Sequence, residues 1–253
     1  MNRNGVVLWE GPSALDGAPI VVILTGLKRA SANGKTGDML QTFIVRQDVS
    51  PLDAIRQGAD ASVCGACPHR GRSVDGVGGV DRSCYVDVAK SVRSVHACYA
   101  RGNYARVTPG EIPGLVGGRR VRFGAYGDPA AAPLWLWEVL ADAARQPNGA
   151  PGHTGYTHQW RTADQGFSHL LMASADGTAD HAAARAAGWR AFVVVARGAA
   201  YPVGTVECAA VRDRKPLSCA DCLMCHGTGD ARRQAVSVAI RAHGVGAGFV
   251  TVS

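Results

Sequence analysis

The sequence predicts an α/β fold arranged as an open β/α barrel, with a cysteine-rich metal-binding segment at the C-terminal end. Strand-like and helix-like segments alternate with short connections after the Pro/Gly-rich residues 108–118, which is typical of parallel βα units. Polar residues follow several of these strands, as they do at the mouth of a barrel. With 253 residues and 47% hydrophobic content, the chain is long and apolar enough to bury a substantial core.

Hydrophobic periodicity and local start and stop signals predict each element. Short β-branched or apolar runs indicate buried strands, and longer amphipathic segments indicate helices. Ser50 followed by Pro51 is typical of an N-cap and a first helical position. The predicted strands are at 20–24, 39–45, 119–124, 155–158, 170–173, 191–195 and 248–253, and the predicted helices are at 51–58, 86–101, 130–145 and 178–188.

The cysteine distribution divides the chain into two predicted parts. Residues 1–200 are expected to form a β/α half-barrel domain that carries a first cysteine group between 64 and 84. Residues 201–253 are expected to form a cysteine-rich segment that packs on this barrel.

Charge and cysteine usage restrict the class of protein. The net charge of +7 suits a nucleic-acid or phosphorylated partner, although the basic residues are scattered rather than clustered. The N-terminal residues contain no uninterrupted apolar run, and no later segment reaches membrane-spanning length. We therefore expect a cytoplasmic chain without a membrane partner. Its clustered thiols would stay reduced there and would more often bind metals than form disulfides.

The strongest metal signal is the second cysteine group, Cys208, Cys219, Cys222 and Cys225. A single C-x-x-C pair is typical of zinc, whereas the doubled C-x-x-C-x-x-C run with a distant fourth thiol favours an iron–sulfur cluster. Cys222 and Cys225 with His226 also form a C-x-x-C-H sequence, the attachment motif of c-type haem. A covalent haem would leave Cys208 and Cys219 without a role, so it is the least favoured of the three interpretations.

The first cysteine group supplies only three closely spaced thiols, Cys64, Cys67 and Cys84. Three cysteines on a four-iron cluster leave one iron open to a substrate or cofactor. With His69 or Cys98 as a fourth ligand, the same thiols would instead make a closed structural zinc site.

Residues at the predicted strand ends, most of them polar, indicate a pocket. They are Gly127 and Asp128 after one strand, Tyr156, Thr157 and His158 on the next, and Ser174 and Asp176 after a third. In a β/α barrel, loops at these ends converge on one mouth. The alternative interpretation is helix capping, because Asp128 precedes a proline and Asp176 precedes a glycine.

Several short segments resemble phage-encoded proteins related to the radical SAM superfamily. The resemblance rests on RRVRFGAYGDPAAAPLWLWEVL, GHTGYTHQWR and LLMASADGTA, together with the cysteine segments CGACPHRG, SCYV and CADCLMC, and spans residues 35–230. It implies a partial β/α barrel and a catalytic [4Fe–4S] cluster on the first cysteine group. It further implies an auxiliary cluster on the second group and S-adenosylmethionine as a cofactor.

The resemblance also suggests roles for the strand-end residues. Asp128, Tyr156 and Asp176 would be catalytic, and Gly127, Asp128, Thr157 and Ser174 would bind the cofactor. One departure from the radical SAM pattern is that Cys84 does not share a loop with Cys64 and Cys67. A cluster therefore requires the Gly-rich residues before Cys84 to fold back.

The leading hypothesis is an iron–sulfur enzyme that receives electrons from a donor and acts on a nucleotide, a nucleic acid or another small substrate. The alternative is a non-enzymatic, zinc-stabilised basic protein that binds nucleic acid.

Overall fold

The computed structural model describes residues 4–29, 31, 33–212, 216–230 and 236–242. Within these residues the strands are β1 (Gly5–Pro12), β2 (Pro19–Thr25), β3 (Leu40–Arg46), β4 (Arg72–Val74), β5 (Val77–Val80), β6 (Ala105–Arg106), β7 (Val121–Tyr126), β8 (His153–Thr154), β9 (Tyr156–Thr157), β10 (Met172–Ala175), β11 (Ala191–Val195), β12 (Thr205–Glu207) and β13 (Ser237–Arg241). The helices are α1 (Pro51–Arg56), α2 (Ala61–Cys64), α3 (Arg93–Ala100), α4 (Ile112–Val116), α5 (Leu134–Ala143), α6 (Phe167–Leu170), α7 (Thr178–Ala186) and α8 (Cys219–Cys222). The strand expected at 248–253 lies outside the described residues.

Two larger sheets and one hairpin organise these strands. The first sheet has the order β6-β1-β2-β3-β7-β8, and the second has the order β12-β13-β11-β10-β9. The strands β1, β2 and β3 form an antiparallel meander, whereas β3, β7 and β8 run parallel. Every pairing in the second sheet is parallel. The α/β class is therefore confirmed, although the antiparallel meander departs from the predicted βα units.

A single glycine joins the two sheets. Gly155 lies between β8, which ends the first sheet, and β9, which begins the second. A Cβ at this position would lie 2.5 Å from the Leu171 side chain and 3.0 Å from Phe123, so only glycine fits without a shift. No barrel is shown by the described strands, which form two sheets meeting at this point. The strands β3, β7 and β8 run parallel in the first sheet, and β9, β10 and β11 run parallel in the second. Because only Gly155 separates β8 from β9, the C-terminal ends of both sets lie on the same side.

The core lies on the faces of these sheets. Residues 20–24 are fully buried along their whole length, as their continuous apolar run predicts for a strand covered on both faces. The helix α5 buries Leu136, Trp137 and Leu140, and the Trp137 ring packs 5.2 Å from the ring of Phe123 on β7. The strands β12 and β13, from the predicted C-terminal segment, extend the second sheet. The boundary at residue 200 stays a prediction.

Several helix boundaries differ from the sequence prediction for local reasons. The helix expected over 86–101 is regular only in α3, because Lys90 has a non-helical backbone with φ of −93° and ψ of −109°. The helix expected over 130–145 begins only at Leu134, because Ala132, the residue before Pro133, is extended. Ser50 caps α1 by accepting the backbone N–H of Asp53, as predicted.

Among the helices in the described ranges, none has the length and apolar character that crossing a bilayer requires.

Candidate functional site

A cavity of about 850 Å³ opens where the strand ends of the two sheets meet, and it is lined by all seven cysteines of the two groups. Cys98 is not among its lining residues. Each of these cysteines is a free thiol. The two groups, far apart in the sequence, thus face a common space.

The loop of the first cysteine group is held by one glutamine. Cys64 ends α2, and Gly65 follows with a positive φ of 57°. The Gln159 side chain donates its Nε2 to the Cys64 carbonyl at 3.1 Å and accepts the Ala66 N–H at 3.2 Å. A Cβ on Gly65 would lie 2.5 Å from the Gln159 amide, so the close approach requires glycine. This clamp places Cys64 and Cys67 at the cavity.

The Gly-rich segment between Cys67 and Cys84 folds back as the β4–β5 hairpin. Two arginines at its ends, Arg70 and Arg82, reach the same buried carboxylate of Asp60 at 2.6 Å and 3.4 Å. The N–H of Cys84 then donates to the carbonyl of His69 at 3.0 Å. The fold-back that the sequence required for a three-thiol site is therefore present.

Burial raises the pKa values of two thiols in the first group, Cys64 and Cys84. It raises the pKa of the Cys64 thiol well above its ordinary value, and the neighbouring Cys67 and Asp60 raise it further. Burial also raises the pKa of Cys84, although the Arg82 guanidinium opposes this shift. Without a cation these sulfurs are protonated, and a bound metal would favour the thiolate form.

The second cysteine group is fixed by backbone hydrogen bonds to distant segments. Cys208 donates its N–H to the carbonyl of Ala239 on β13 at 2.8 Å, and Cys219 donates to the carbonyl of Lys35 at 2.9 Å. The carbonyl of Cys225 accepts the N–H of Gly155 at 2.9 Å. The polar loop around Lys35 therefore supports α8, and the sheet junction supports Cys225.

A fully buried arginine, which no sequence pattern predicted, also holds this segment. Arg190 donates to the carbonyls of His226 at 2.7 Å, Met224 at 3.0 Å and Val236 at 2.8 Å. His226 itself is buried, with 1% exposure. No local pattern marks Arg190, because its acceptors lie more than thirty residues further along the chain.

Among the predicted catalytic residues, Tyr156 belongs to the second cysteine group rather than the first. Its ring lies 4.7 Å from that of Phe192. Burial raises the pKa of the Tyr156 phenol well above its ordinary value, and the nearby thiols of Cys225 and Cys219 add to this. Burial raises the pKa of the Cys225 thiol as well, opposed by a hydrogen bond with Tyr156.

Asp128 lies at the cavity, but protein donors already occupy its carboxylate. It accepts the N–H of Ala130 at 3.0 Å, the N–H of His158 at 2.8 Å and the Nε2 of Gln159 at 3.2 Å. The first of these bonds is the cap that the sequence offered as an alternative. Asp128 therefore positions the strand-end loop that in turn holds Cys64 through Gln159.

The predicted cofactor-binding residues have mixed environments. Gly127 has φ of 81°, and a Cβ there would lie 2.6 Å from Ile44, so packing and backbone geometry account for the glycine. Thr157 is buried and accepts the N–H of Gln159 at 2.9 Å. Ser174 lines the cavity, and its carbonyl accepts the indole N–H of Trp160 at 3.1 Å.

Asp176 is not a helix cap but lies between two histidines. Its Oδ1 is 2.9 Å from His69 Nε2, and its Oδ2 is 3.5 Å from His158 Nε2. Burial opposes ionisation of Asp176, but its bonds with His158 and His69 outweigh this and lower its pKa. Burial likewise opposes protonation of His158, and its contacts with Asp176 and Cys67 raise its pKa well above the ordinary value.

Arg122 contributes a positive charge to the cavity. Its guanidinium donates to the Tyr85 hydroxyl at 2.7 Å. The proximity of Tyr85 raises the pKa of Arg122, and the Tyr156 and Cys219 groups contribute to this. Within the described ranges, no carboxylate lies within ion-pair distance of it.

No protein-family model, curated protein or solved structure matches this chain, so its function has to be inferred from its own residues.

Proposed function

We propose that the chain is a cytoplasmic iron–sulfur enzyme, similar to radical SAM proteins, that acts on a small anionic substrate such as a nucleotide. The observation that carries this proposal is that both cysteine groups line one cavity at the strand ends. A structural metal needs no cavity, whereas an enzyme needs space for a substrate beside its reactive centre.

The spacing of the thiols along the chain favours iron–sulfur clusters over zinc. A single C-x-x-C pair is typical of zinc, whereas Cys219, Cys222 and Cys225 repeat that spacing and Cys208 offers a fourth thiol. This pattern supports the cluster proposal.

The two cysteine groups have different roles in this proposal. Cys208, Cys219, Cys222 and Cys225 supply four ligands and leave no open position, which suits an auxiliary cluster. Cys64, Cys67 and Cys84 supply three and would leave one iron open to S-adenosylmethionine or a substrate. When bound, and reduced by an external electron donor, such a cluster supplies one electron to the sulfonium.

The protein's own residues would bind and orient the reactants. Asp128 and Gln159 hold the first cysteine loop in place, and Thr157 holds Gln159. Tyr156 forms a hydrogen bond with the Cys225 thiol of the second group. Ser174 offers a hydroxyl at the cavity wall. The parallel pairing of β3, β7 and β8 and that of β9, β10 and β11 support an open barrel around the cavity, which we include in the proposal.

The cavity also favours a class of substrate. Its volume of about 850 Å³ falls within the range of about 300–1,000 Å³ typical of small-molecule pockets. The Arg122 guanidinium lacks a carboxylate partner among the described residues and is suited to pair with a phosphate or carboxylate. A nucleotide meets both requirements better than a nucleic-acid duplex does.

Anaerobic purification with metal and sulfide analysis tests the proposal. We expect brown protein with about eight irons, the content of two four-iron clusters, and matching acid-labile sulfide. Cys64→Ala and Cys222→Ala should each lose about half of the iron, whereas Cys98→Ala, outside the cavity, should lose none. Colourless protein with two zinc ions would support the nucleic-acid-binding alternative and overturn the proposal.

A second measurement tests the cofactor. Cluster-loaded protein with a strong reductant should release 5′-deoxyadenosine from S-adenosylmethionine, and Cys64→Ala should abolish the release. Release that persists in Cys64→Ala would contradict the assignment of the first group as the reactive centre.

A further inference from the structure

Three metal-ligand side chains outside the cysteine groups meet at one point beside Cys67. His69 follows Cys67 in the turn Pro68–Arg70, while His158 and Asp176 follow β9 and β10. One ligand atom from each of the three lies within 4.8 Å of the other two. We propose that His69, His158 and Asp176 bind a divalent transition-metal ion, separately from the cysteine ligands.

Outer hydrogen bonds hold two of the proposed ligands, His69 and His158. His69 Nδ1 is 2.7 Å from Ser83 Oγ, which directs the opposite nitrogen, Nε2, at Asp176. The backbone N–H of His158 donates to Asp128 at 2.8 Å, which fixes the start of its side chain. Metal-binding imidazoles commonly have their second nitrogen held in this way. The His69 ring and the His158 backbone are therefore held by residues that would not bind the ion.

The lengths of the His158 contacts also fit an ion better than hydrogen bonds alone. His158 Nε2 lies 3.5 Å from Asp176 Oδ2 and 3.9 Å from Cys67 Sγ, which is long for a hydrogen bond. A tetrahedral ion with bonds of about 2.0–2.1 Å separates its nitrogen and oxygen ligands by about 3.3 Å. The ion would replace the shorter 2.9 Å contact of His69 with Asp176 as the link between these groups.

The donor set specifies the class of ion. Two imidazoles with one carboxylate suit Fe²⁺, Zn²⁺ and neighbouring metals, whereas Ca²⁺ and Mg²⁺ require mainly oxygen ligands. His69 and His158 line the cavity, and the three side chains are 17–19% exposed. Three protein ligands would therefore leave a coordination position that faces the cavity and can accept water or a substrate oxygen.

The test uses Zn²⁺ and Co²⁺ with cluster-loaded protein after removal of loosely bound metal. Equilibrium dialysis should show one Zn²⁺ beyond the cluster iron. Asp176→Asn and His69→Gln should each weaken its binding by at least about 10-fold while they keep the iron. The control Asp142→Asn, an exposed carboxylate, should bind as wild type does.

The outcomes separate this site from the clusters. The ion should remain bound in Cys64→Ala, which is expected to lack the first cluster. Because the proposed ion site contains no cysteine, this inference stays testable if the iron–sulfur proposal fails. Bound Co²⁺ should show visible ligand-field absorption without a thiolate charge-transfer band. No additional ion in wild type, unchanged affinity in both substituted proteins, or a thiolate band from Cys67 would each overturn the proposal.

Discussion

Asp128 offers the sharpest test of how the strand-end loop supports the first cysteine group. Its buried carboxylate accepts hydrogen bonds from Ala130 N, His158 N and Gln159 Nε2. Asn fills the same space but replaces one carboxylate oxygen by a donor. In Asp128→Asn, therefore, at least one of these three N–H groups must lose its acceptor.

The expected change in the free energy of unfolding follows from the orientation of the introduced amide that is lowest in free energy. With its oxygen towards His158 and Gln159, the Ala130 cap is lost, which costs about 1 kcal/mol. The two remaining bonds change from a charged to a neutral acceptor and weaken by about 1 kcal/mol each. We expect Asp128→Asn to lower the free energy of unfolding by about 3 kcal/mol. Asp128→Ala, which loses all three bonds, should lower it by about 5 kcal/mol.

Anaerobic urea unfolding provides the assay, with iron content measured on the same samples. Because Gln159 connects Asp128 to the Cys64 carbonyl, iron should be lost from the first group before the second. Asp142→Asn is the matched control, since its side chain is 74% exposed and surface ion pairs contribute only about 0–1 kcal/mol. A change below about 0.5 kcal/mol in Asp128→Asn would refute the positional role.

Three further predictions concern the junction and the C-terminal segment. Gly152→Ala should destabilise the fold by about 3 kcal/mol, since its Cβ would overlap the carbonyl oxygen of Ala144. Thermal unfolding should show this loss, and Gly34→Ala, which faces open space, should unfold like wild type. Burial lowers the pKa of His153 to about 4, so the unfolded chain binds more protons between about pH 4 and 6.5. The contribution of the buried, neutral His153 to the free energy of unfolding is complete above that pH window and is lost as the pH falls through it. Urea unfolding should be measured at pH 5 and pH 7.5. Between pH 7.5 and pH 5, the free energy of unfolding of His153→Gln should rise by about 2 kcal/mol relative to that of wild type. Equal pH dependence of the two proteins would contradict this. Arg190→Met should release the second cysteine segment and reduce its bound iron, as measured by iron analysis. Full retention of iron would show that its carbonyl contacts do not hold the cysteines.

Much of the fold was predictable because its signals are local. The buried strand β11 occupies the predicted residues 191–195, and Ser50 caps α1 as its position before Pro51 indicates. The strand β1 was not predicted from the sequence. Its apolar residues are followed by tryptophan, glutamate and glycine, so the hydrophobic pattern is unclear at its C-terminal end. The antiparallel meander could not be read from the sequence, since strand direction depends on which partner each strand finds.

The sequence predicted which residues form the candidate site, but not which residues each of them contacts. Asp128 and Asp176 each follow a strand as expected, yet one carboxylate is occupied by backbone and amide donors while the other joins two histidines. Tyr156 is near the second cysteine group, although it was expected to face the first. These assignments depend on contacts between residues far apart in the sequence.

The sequence by itself determined the α/β class, the two cysteine groups and the polar strand ends, because spacing and periodicity act over a few residues. Only the tertiary structure decided that both groups line one cavity, that Arg190 fixes the second, and that His69, His158 and Asp176 meet. The physical reason is the junction at Gly155. There the chain passes from one sheet to the other, which aligns the strand ends and brings the cysteine loops together.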